Sequence, residues 1–177
     1  MPTPLELLLS KLDKLSRPAK LDWAMQELAQ LDVGPHELRS HMLFATQSYA
    51  RNLVHTGPHH NLLVLCWKNG QRSPIHDHAG SVCAVRVLSG TMTETFFERA
   101  PNGHIKATLS QDVIMDGVVG GYDTDIHQIS NLMAGDQDLV TLHLYSPPLL
   151  VMGTYSLFDR ARGEEQMFPE FSDAGGI

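Results

Sequence analysis

Short runs of β-branched and apolar residues dominate the chain between residues 47 and 158, with glycine, proline, asparagine or aspartate between them. Such runs predict strands, and Ser89-Gly90 and Pro101-Asn102-Gly103 predict hairpin turns. Many short strands joined by tight turns favour an antiparallel barrel or sandwich over parallel βαβ units. The predicted strands cover residues 61–68, 82–88, 91–98, 105–109, 113–118, 126–130, 139–146 and 152–158.

The first 46 residues show a helical pattern instead. Leucines spaced three or four positions apart form one apolar stripe over residues 5–15, and a second stripe covers residues 21–31. Pro35 is suited to the first turn of a third helix, which we expect over residues 36–45. We therefore interpret the chain as a single domain, 1–177, with a helical cap (1–46), a β-barrel (47–158) and an irregular C-terminal tail (159–177).

The charge and cysteine content narrow the possible partners and location. Lysine and arginine number 13 against 20 aspartates and glutamates, a net charge of −7 that disfavours binding to nucleic acid. The only cysteines, Cys66 and Cys83, exclude a disulfide scaffold and favour the reducing cytoplasm. The sequence shows neither a long apolar stretch nor the layout of a signal peptide, so we expect no membrane association. We expect a monomer or a weak homo-oligomer.

A His-x-His triplet is the most informative motif in the chain. Residues i and i+2 of an extended chain point to the same face, so the rings of His76 and His78 can reach one metal ion while Asp77 faces away. A further histidine, His127, lies in another predicted strand. Three neutral imidazoles from neighbouring strands can hold a metal ion on one side and leave its other side open. The alternative is a closed structural zinc site with Cys83 as the fourth ligand.

The residues around these histidines resemble the two motifs of the cupin superfamily. Gly70 and Gly90 flank the His-x-His at the spacing of the first motif, although Cys83 stands where that motif has a glutamate. His127 and Asn131 match the end of the second motif. The resemblance implies a mainly β fold, a cupin (double-stranded β-helix, or jelly-roll) barrel, behind the N-terminal helical cap.

Two longer strings carry a narrower resemblance. They are Tyr49-Ala50-Arg51-Asn52-Leu53-Val54 and Leu142-His143-Leu144-Tyr145-Ser146-Pro147-Pro148. With the histidines and Cys83, they resemble the bacterial type of cysteine dioxygenase. This resemblance implies an oxidoreductase of cysteine catabolism, on the route to sulfinates and taurine, that adds both atoms of O2 to the sulfur of L-cysteine. The implied cofactor is Fe(II) on His76, His78 and His127, where three neutral ligands leave the full metal charge to favour a thiolate.

The same resemblance implies roles for residues outside the metal centre. Arg51 and Tyr49 bind the substrate, and the planar fork of Arg51 suits its carboxylate. Tyr145 contributes its phenol to substrate binding and catalysis, and His143 orients that phenol. Thr141 lies on the same strand face at period-two spacing and supports the row from behind.

The role of Cys83 stays open at the level of sequence. The thiol is either catalytic, joined to Tyr145 by a thioether bond as in some members of the family, or a small buried hydrophobe. The bonds Ser146-Pro147 and Pro147-Pro148 are both candidates for a cis peptide.

The substrate also has alternatives. Arg51 favours cysteine, but 3-mercaptopropionate or another small thiol carboxylate would use the same chemistry. An alternative of another class is a non-catalytic cupin that binds metal as a sensor. The remaining histidines around Gly57-Pro58, which are His55, His59 and His60, we interpret as part of a solvated loop.

Overall fold

The computed structural model describes residues 1–34 and 36–167. Two α-helices, α1 (Pro4–Asp13) and α2 (Leu21–Gln30), precede a single 3-10 turn at Arg39–His41. The strands are β1 (Ala50–Gly57), β2 (His60–Trp67), β3 (Ile75–Asp77), β4 (Val82–Ser89), β5 (Thr91–Arg99), β6 (Ile105–Ile114), β7 (Val118–Gly121), β8 (Ile126–Ser130), β9 (Leu139–Ser146), β10 (Val151–Tyr155) and β11 (Gly163–Gln166).

The strands form two antiparallel sheets with an apolar core between them. The five-stranded sheet has the order β1-β2-β9-β4-β7, and the six-stranded sheet has the order β11-β10-β3-β8-β5-β6. The core between the sheets takes Leu63 and Leu65 from one sheet and Met92 and Ile129 from the other. Among the described residues, no helix has the length and apolarity that crossing a bilayer requires.

Helices α1 and α2 cover the outer face of the five-stranded sheet. Thr3 begins α1 with a capping box, in which its side chain accepts from the Glu6 amide and Glu6 accepts from the Thr3 amide. The apolar stripes then bury Leu12 and Leu28 against the outward-facing Leu144 and its neighbours. Because β2 and β9 are covered on both faces, every residue of these two strands is buried.

The predicted third helix is wrong. Residues 36–45 form turns and the short 3-10 segment, followed by extended chain, and Pro35 lies outside the described residues. Only Leu38 in this segment is fully buried, so no apolar stripe holds a helix against the sheet. The side-chain amide of Asn52 on β1 donates to the Leu43 carbonyl, which fixes the segment as extended chain beside that strand.

The strand predictions were incomplete at the edges of the sheets. The predicted strands at 105–109 and 113–118 are largely one continuous strand, β6, whose exposed polar face hides the period-two pattern. Strands β1 and β3 were not predicted. The tail is not wholly irregular either, because β11 pairs with β10; residues 168–177 of the predicted tail lie outside the described residues. The predicted solvated loop is wrong for His55 and His60, which lie on β1 and β2.

Candidate metal centre

Strands β3 and β8 bring the three predicted histidine ligands together. His76 lies directly opposite His127 in the antiparallel register of these strands, and His78 follows the end of β3. One ring nitrogen from each histidine lies within 4.8 Å of the others, and the Nε2 atoms of His78 and His127 are 3.2 Å apart. All three side chains are buried. The result is a compact cluster of nitrogen donors inside the barrel.

The surroundings of His76 and His78 keep these two rings neutral. The Nδ1 atom of His76 is 2.9 Å from the Pro74 carbonyl oxygen, to which it donates, so Nε2 keeps its lone pair. Burial and the neighbouring His127 lower the pKa of His78 to about 3. Burial, then His127 and His78, also hold the pKa of His76 well below its ordinary value. Three neutral nitrogen donors without a carboxylate fit a divalent transition metal such as Fe(II) or Zn(II).

Glu94 supports the cluster from behind, and the sequence motifs did not reveal it. Its Oε1 atom lies 2.7 Å from Nδ1 of His127 and accepts that proton, which directs Nε2 of the ring toward the cluster. Gln111 donates to the other carboxylate oxygen at 3.0 Å. The sequence carried one signal for this role. Glu94 is two residues from the apolar Met92 and therefore lies on the same, buried face of the strand, where a carboxylate needs a partner.

Asp77 faces away from the rings, as predicted, and fastens the metal strand to its neighbours. Its carboxylate accepts from Arg162 at 2.8 and 2.9 Å, from the Tyr155 hydroxyl at 2.6 Å, and from the amides of Ala79 and Gly153 at 3.1 Å. Although burial opposes it, hydrogen bonds from Arg162 and Tyr155 lower the pKa of Asp77 to about 2. A Cβ on Gly153 would meet both this carboxylate and the Arg162 guanidinium, so a larger residue there would have to displace the pair.

Strand β9 contributes a buried hydrogen-bonded row beside the cluster. The side chains of Thr141, His143 and Tyr145 alternate with outward-facing leucines. The Thr141 hydroxyl lies 2.9 Å from Nε2 of His143, and Nδ1 of His143 lies 3.1 Å from the Tyr145 hydroxyl. The predicted row therefore exists, with threonine supplying its hydroxyl.

Trp67 determines which group donates and which accepts at each hydrogen bond of this row. Its indole N–H can only donate, and it donates to Thr141 Oγ1 at 3.0 Å. Within the described chain, the Thr141 hydroxyl has no other acceptor than His143, so its proton points to Nε2. Nδ1 of His143 then carries a proton and donates to the Tyr145 oxygen. The phenol keeps its own proton for a further hydrogen bond.

Arg51 is a buried cation next to the same row. Its guanidinium carbon lies 5.6 Å from the centroid of the Tyr145 ring, and its Nε has no hydrogen-bond partner among the described residues. Burial opposes the charge, but the oxygens of Tyr145 and Tyr49 leave the pKa of Arg51 raised, so it stays charged. No carboxylate of the described chain forms an ion pair with it. Tyr49 stacks on Trp67 with centroids 4.2 Å apart.

Arg51 and Tyr49 also border both an inner chamber and an outer cavity. The inner chamber is bordered by His76, His78, His143 and Tyr145. An outer cavity of about 500 Å³ is bordered by Ser48, Arg72, Pro74 and residues 165–167. Because Arg51 and Tyr49 border both spaces, these two side chains lie between the outer cavity and the histidines.

Cys83, on β4, lies beside the hydrogen-bonded row of β9 and not in the metal cluster. It pairs directly with Tyr145 across strands β4 and β9, and its sulfur lies 3.9 Å from Nδ1 of His143. Burial raises the pKa of its thiol. The described cluster around His76 contains no sulfur, which disfavours the closed zinc alternative. Both Cys83 and Cys66 are free thiols in the structure.

Two further predicted residues have structural positions. The side-chain amide of Asn131 donates to the carbonyls of Trp67 and Gln137 at 3.0 and 2.7 Å, so it braces the chain after β8 and does not face the cluster. The bond between Ser146 and Pro147 is cis, one of the two candidates that the sequence offered.

Comparison with known proteins agrees with this geometry. The family model for cysteine dioxygenase type I matches residues 4–160. Cysteine dioxygenase type 1 from Homo sapiens is 34% identical over 137 residues, which cover 74% of this chain and 66% of the human protein, slightly under two thirds of its length.

Two solved structures share the fold at low sequence identity. The TT1209 protein of Thermus thermophilus has a TM-score of 0.53 at 15% identity, covering 63% of this chain and 94% of that one. An uncharacterized double-stranded β-helix protein from Klebsiella pneumoniae has a TM-score of 0.51 at 14% identity, covering 62% and 81%. The predicted cupin barrel with an N-terminal helical segment is confirmed. The chain belongs to the cysteine dioxygenase type I family.

Proposed function

We propose that this protein is a thiol dioxygenase that converts L-cysteine and O2 to cysteine sulfinate, with Fe(II) held by His76, His78 and His127. Family membership supports the reaction class. The observation that carries the proposal is Arg51, a buried cation without an acidic partner in the described chain, which stands between the outer cavity and the nitrogen cluster. A buried charge needs a partner, and the carboxylate of an amino acid substrate supplies one.

The reaction is balanced without any further reductant. The thiol sulfur forms bonds to both oxygen atoms of O2, while the O–O bond and the S–H bond break. The sulfur gives up four electrons, which reduce the two oxygens, and the thiol proton is retained on an oxygen of the sulfinic acid. Fe(II), when bound, supplies a centre at which thiolate and O2 meet and exchange electrons. The three neutral ligands leave its full charge to stabilise the thiolate form.

The chain itself positions the substrate and controls one proton. Arg51 binds the carboxylate through its planar fork and fixes the distance of the sulfur from the histidines. Tyr145 stays protonated because burial raises the pKa of its phenol. Since His143 donates to its oxygen, the phenol directs its own hydrogen bond at the substrate or at the oxygen being transferred. Tyr49 and Trp67 wall the path and exclude water.

The setting of the reaction follows from the same residues. Two unpaired thiols suit a reducing compartment, so we place the protein in the cytoplasm, acting as a monomer or weak homo-oligomer on small molecules. The net charge of −7 disfavours a nucleic-acid partner.

The first prediction concerns Arg51. Replacing it by glutamine should lower kcat/KM for cysteine by about 10²–10³-fold, because the substrate carboxylate loses a buried charge partner. Activity toward 2-aminoethanethiol, which lacks the carboxylate, should change little. Oxygen-electrode traces with sulfinate quantification measure both, and Arg72→Gln, on the rim of the outer cavity, serves as the control.

Two outcomes would contradict this assignment. Equal losses with both thiols would show that Arg51 does not recognise the carboxylate. A preference of the wild type for 3-mercaptopropionate over cysteine would move the assignment to the amine-free substrate, and iron-loaded protein that consumes no O2 with any thiol would leave the sensor alternative.

The second prediction concerns Glu94. Glu94→Gln removes the charge behind His127, and we expect a 10- to 100-fold weaker affinity for Fe(II), as is usual for partners of metal ligands. Chelator competition measures the affinity. Glu98→Gln, at the exposed end of the same strand, is the control. Unchanged affinity in Glu94→Gln would mean that its hydrogen bond does not orient the ring.

The third prediction concerns Trp67. Trp67→Phe keeps an aromatic ring against Tyr49 but removes the N–H that donates to Thr141. We expect kcat to fall by about tenfold, which corresponds to the loss of one buried hydrogen bond. The KM for cysteine and the iron content should stay unchanged. The other tryptophan, Trp23 on α2, provides the control Trp23→Phe. An unchanged kcat in Trp67→Phe would contradict the deduced direction of the row.

The fourth prediction concerns a cross-link, which we propose between Cys83 and Tyr145. Their pairing on adjacent strands supports it. The sulfur would bond to the ring carbon next to the one that bears the hydroxyl, the S–H bond and that C–H bond would break, and O2 would take up the two electrons and two protons as hydrogen peroxide. After turnover, intact mass spectrometry should show a deficit of two hydrogens in the wild type and in Cys66→Ser, but not in Cys83→Ser. A wild type of unmodified mass, with Cys83 fully alkylated after denaturation, would refute the cross-link.

A further inference from the structure

A second group of potential metal ligands lies on the opposite face of the five-stranded sheet. We call it the cap cluster: Asp13 at the end of α1, His55 on β1 and His60 at the start of β2. Oδ1 of Asp13 lies 2.7 Å from Nε2 of His55, and one donor atom from each of the three residues lies within 4.8 Å of the others. The two imidazole rings are stacked with centroids 5.3 Å apart.

The strand register explains why these histidines meet. His60 pairs with Gly57, and His55 pairs with Leu62, so the two histidines are diagonal neighbours on one face of the hairpin. Leu62 packs in the core beneath the helices, which identifies this as the outer face, on which α1 lies. Gly57 makes room for the ring, because a Cβ there would stand 2.5 Å from Cε1 of His60.

His60 is the unusual member of the cap cluster. Its side chain is fully buried, and neither ring nitrogen has a hydrogen-bond partner within the part of the chain that the structure describes. Buried polar nitrogens are normally paired, so this one calls for an explanation. The hydrogen bond between Asp13 and His55 does not supply it, since that contact leaves both nitrogens of His60 unbonded. Burial, then the neighbouring His55, lowers the pKa of His60, so its lone pair is available to a cation.

We propose that the cap cluster is a second metal site, which binds a divalent transition metal, best matched by Zn²⁺, through His60, His55 and Asp13. Two imidazoles and one carboxylate are a common ligand set for this ion, with water in the remaining position. Asp13 and His55 are partly exposed, so the ion has a path from solvent. Neighbouring ligand atoms around tetrahedral zinc lie about 3.3 Å apart, so modest side-chain rotations complete the site.

The location gives such an ion a structural role. Asp13 is the last residue of α1, while His55 and His60 belong to the hairpin of β1 and β2. A metal bound to all three would fasten the helical cap to the barrel. This site is separate from the three-histidine centre, because the row and the nitrogen cluster lie on the inner face of the sheet.

The test uses Zn²⁺ alone as the probe and needs no enzymatic activity. The full chain should bind two equivalents by equilibrium dialysis with metal analysis. In the His76→Ala/His78→Ala double variant, which removes the inner centre, one equivalent should remain, and Zn²⁺ should raise Tm. On this background, His60→Phe should abolish binding. Asp13→Asn, an exposed change that keeps the shape and the hydrogen bond to His55, should weaken it at least tenfold.

A matched control and a folding check separate ligand loss from misfolding. His36→Asn replaces an exposed histidine outside both clusters and should leave the stoichiometry and the Tm shift unchanged. Circular dichroism reports whether each variant is folded, and the exposed Asp13→Asn variant keeps the test decisive even if His60→Phe unfolds. A wild type that binds only one equivalent, or a binding affinity unchanged in either cap-cluster variant, would overturn the second site.

Discussion

The candidate metal centre depends on one pairing, that of His76 on β3 with His127 on β8. If β3 shifted by one residue, the ring of His76 would turn to the opposite face of the sheet together with that of His78, away from His127. Strand β3 has only three residues, too few to hold its own register. The register is held by the bonds of Asp77 to Arg162 and Tyr155, and by the Ser73 amide, which donates to the Ile129 carbonyl at 2.9 Å. The residue between two ligands is thus an anchor for both.

Alternate residues of strand β9 have different roles, because they face opposite sides of the sheet. Its outward residues, Leu142 and Leu144, form the floor beneath the helices, and its inward residues form the hydrogen-bonded row. Because both faces are buried, the row lies in a medium where hydrogen bonds are strong and unpaired groups are costly. The order of donors and acceptors along the row is therefore set by Trp67 at its far end, because the indole N–H can only donate.

The spacing of residues along the chain predicted those features that depend only on sequence neighbours. The His-x-His geometry, the row on β9 and the buried strands depend on period two, and they could be predicted from sequence. The partner of His127 could not, because Glu94 is brought there by the pairing of β5 with β8, which no short motif encodes. His60 shows the same limit: beside Gly57-Pro58 it suggests a loop, yet it is completely buried on the face of the hairpin that also carries Leu62. The prediction of a third helix was wrong because it relied on a proline suited to a first helical turn, which does not replace a buried apolar stripe.

The pairing of Asp77 with Arg162 also shapes the field inside the barrel. A carboxylate one residue away from two ligands would ordinarily weaken the attraction of the chamber for anions. Arg162 balances that charge at 2.8 Å on the far side of the strand. The charge of Asp77 is therefore balanced locally, and it does not offset the positive potential that Arg51 sets up beside the three histidines.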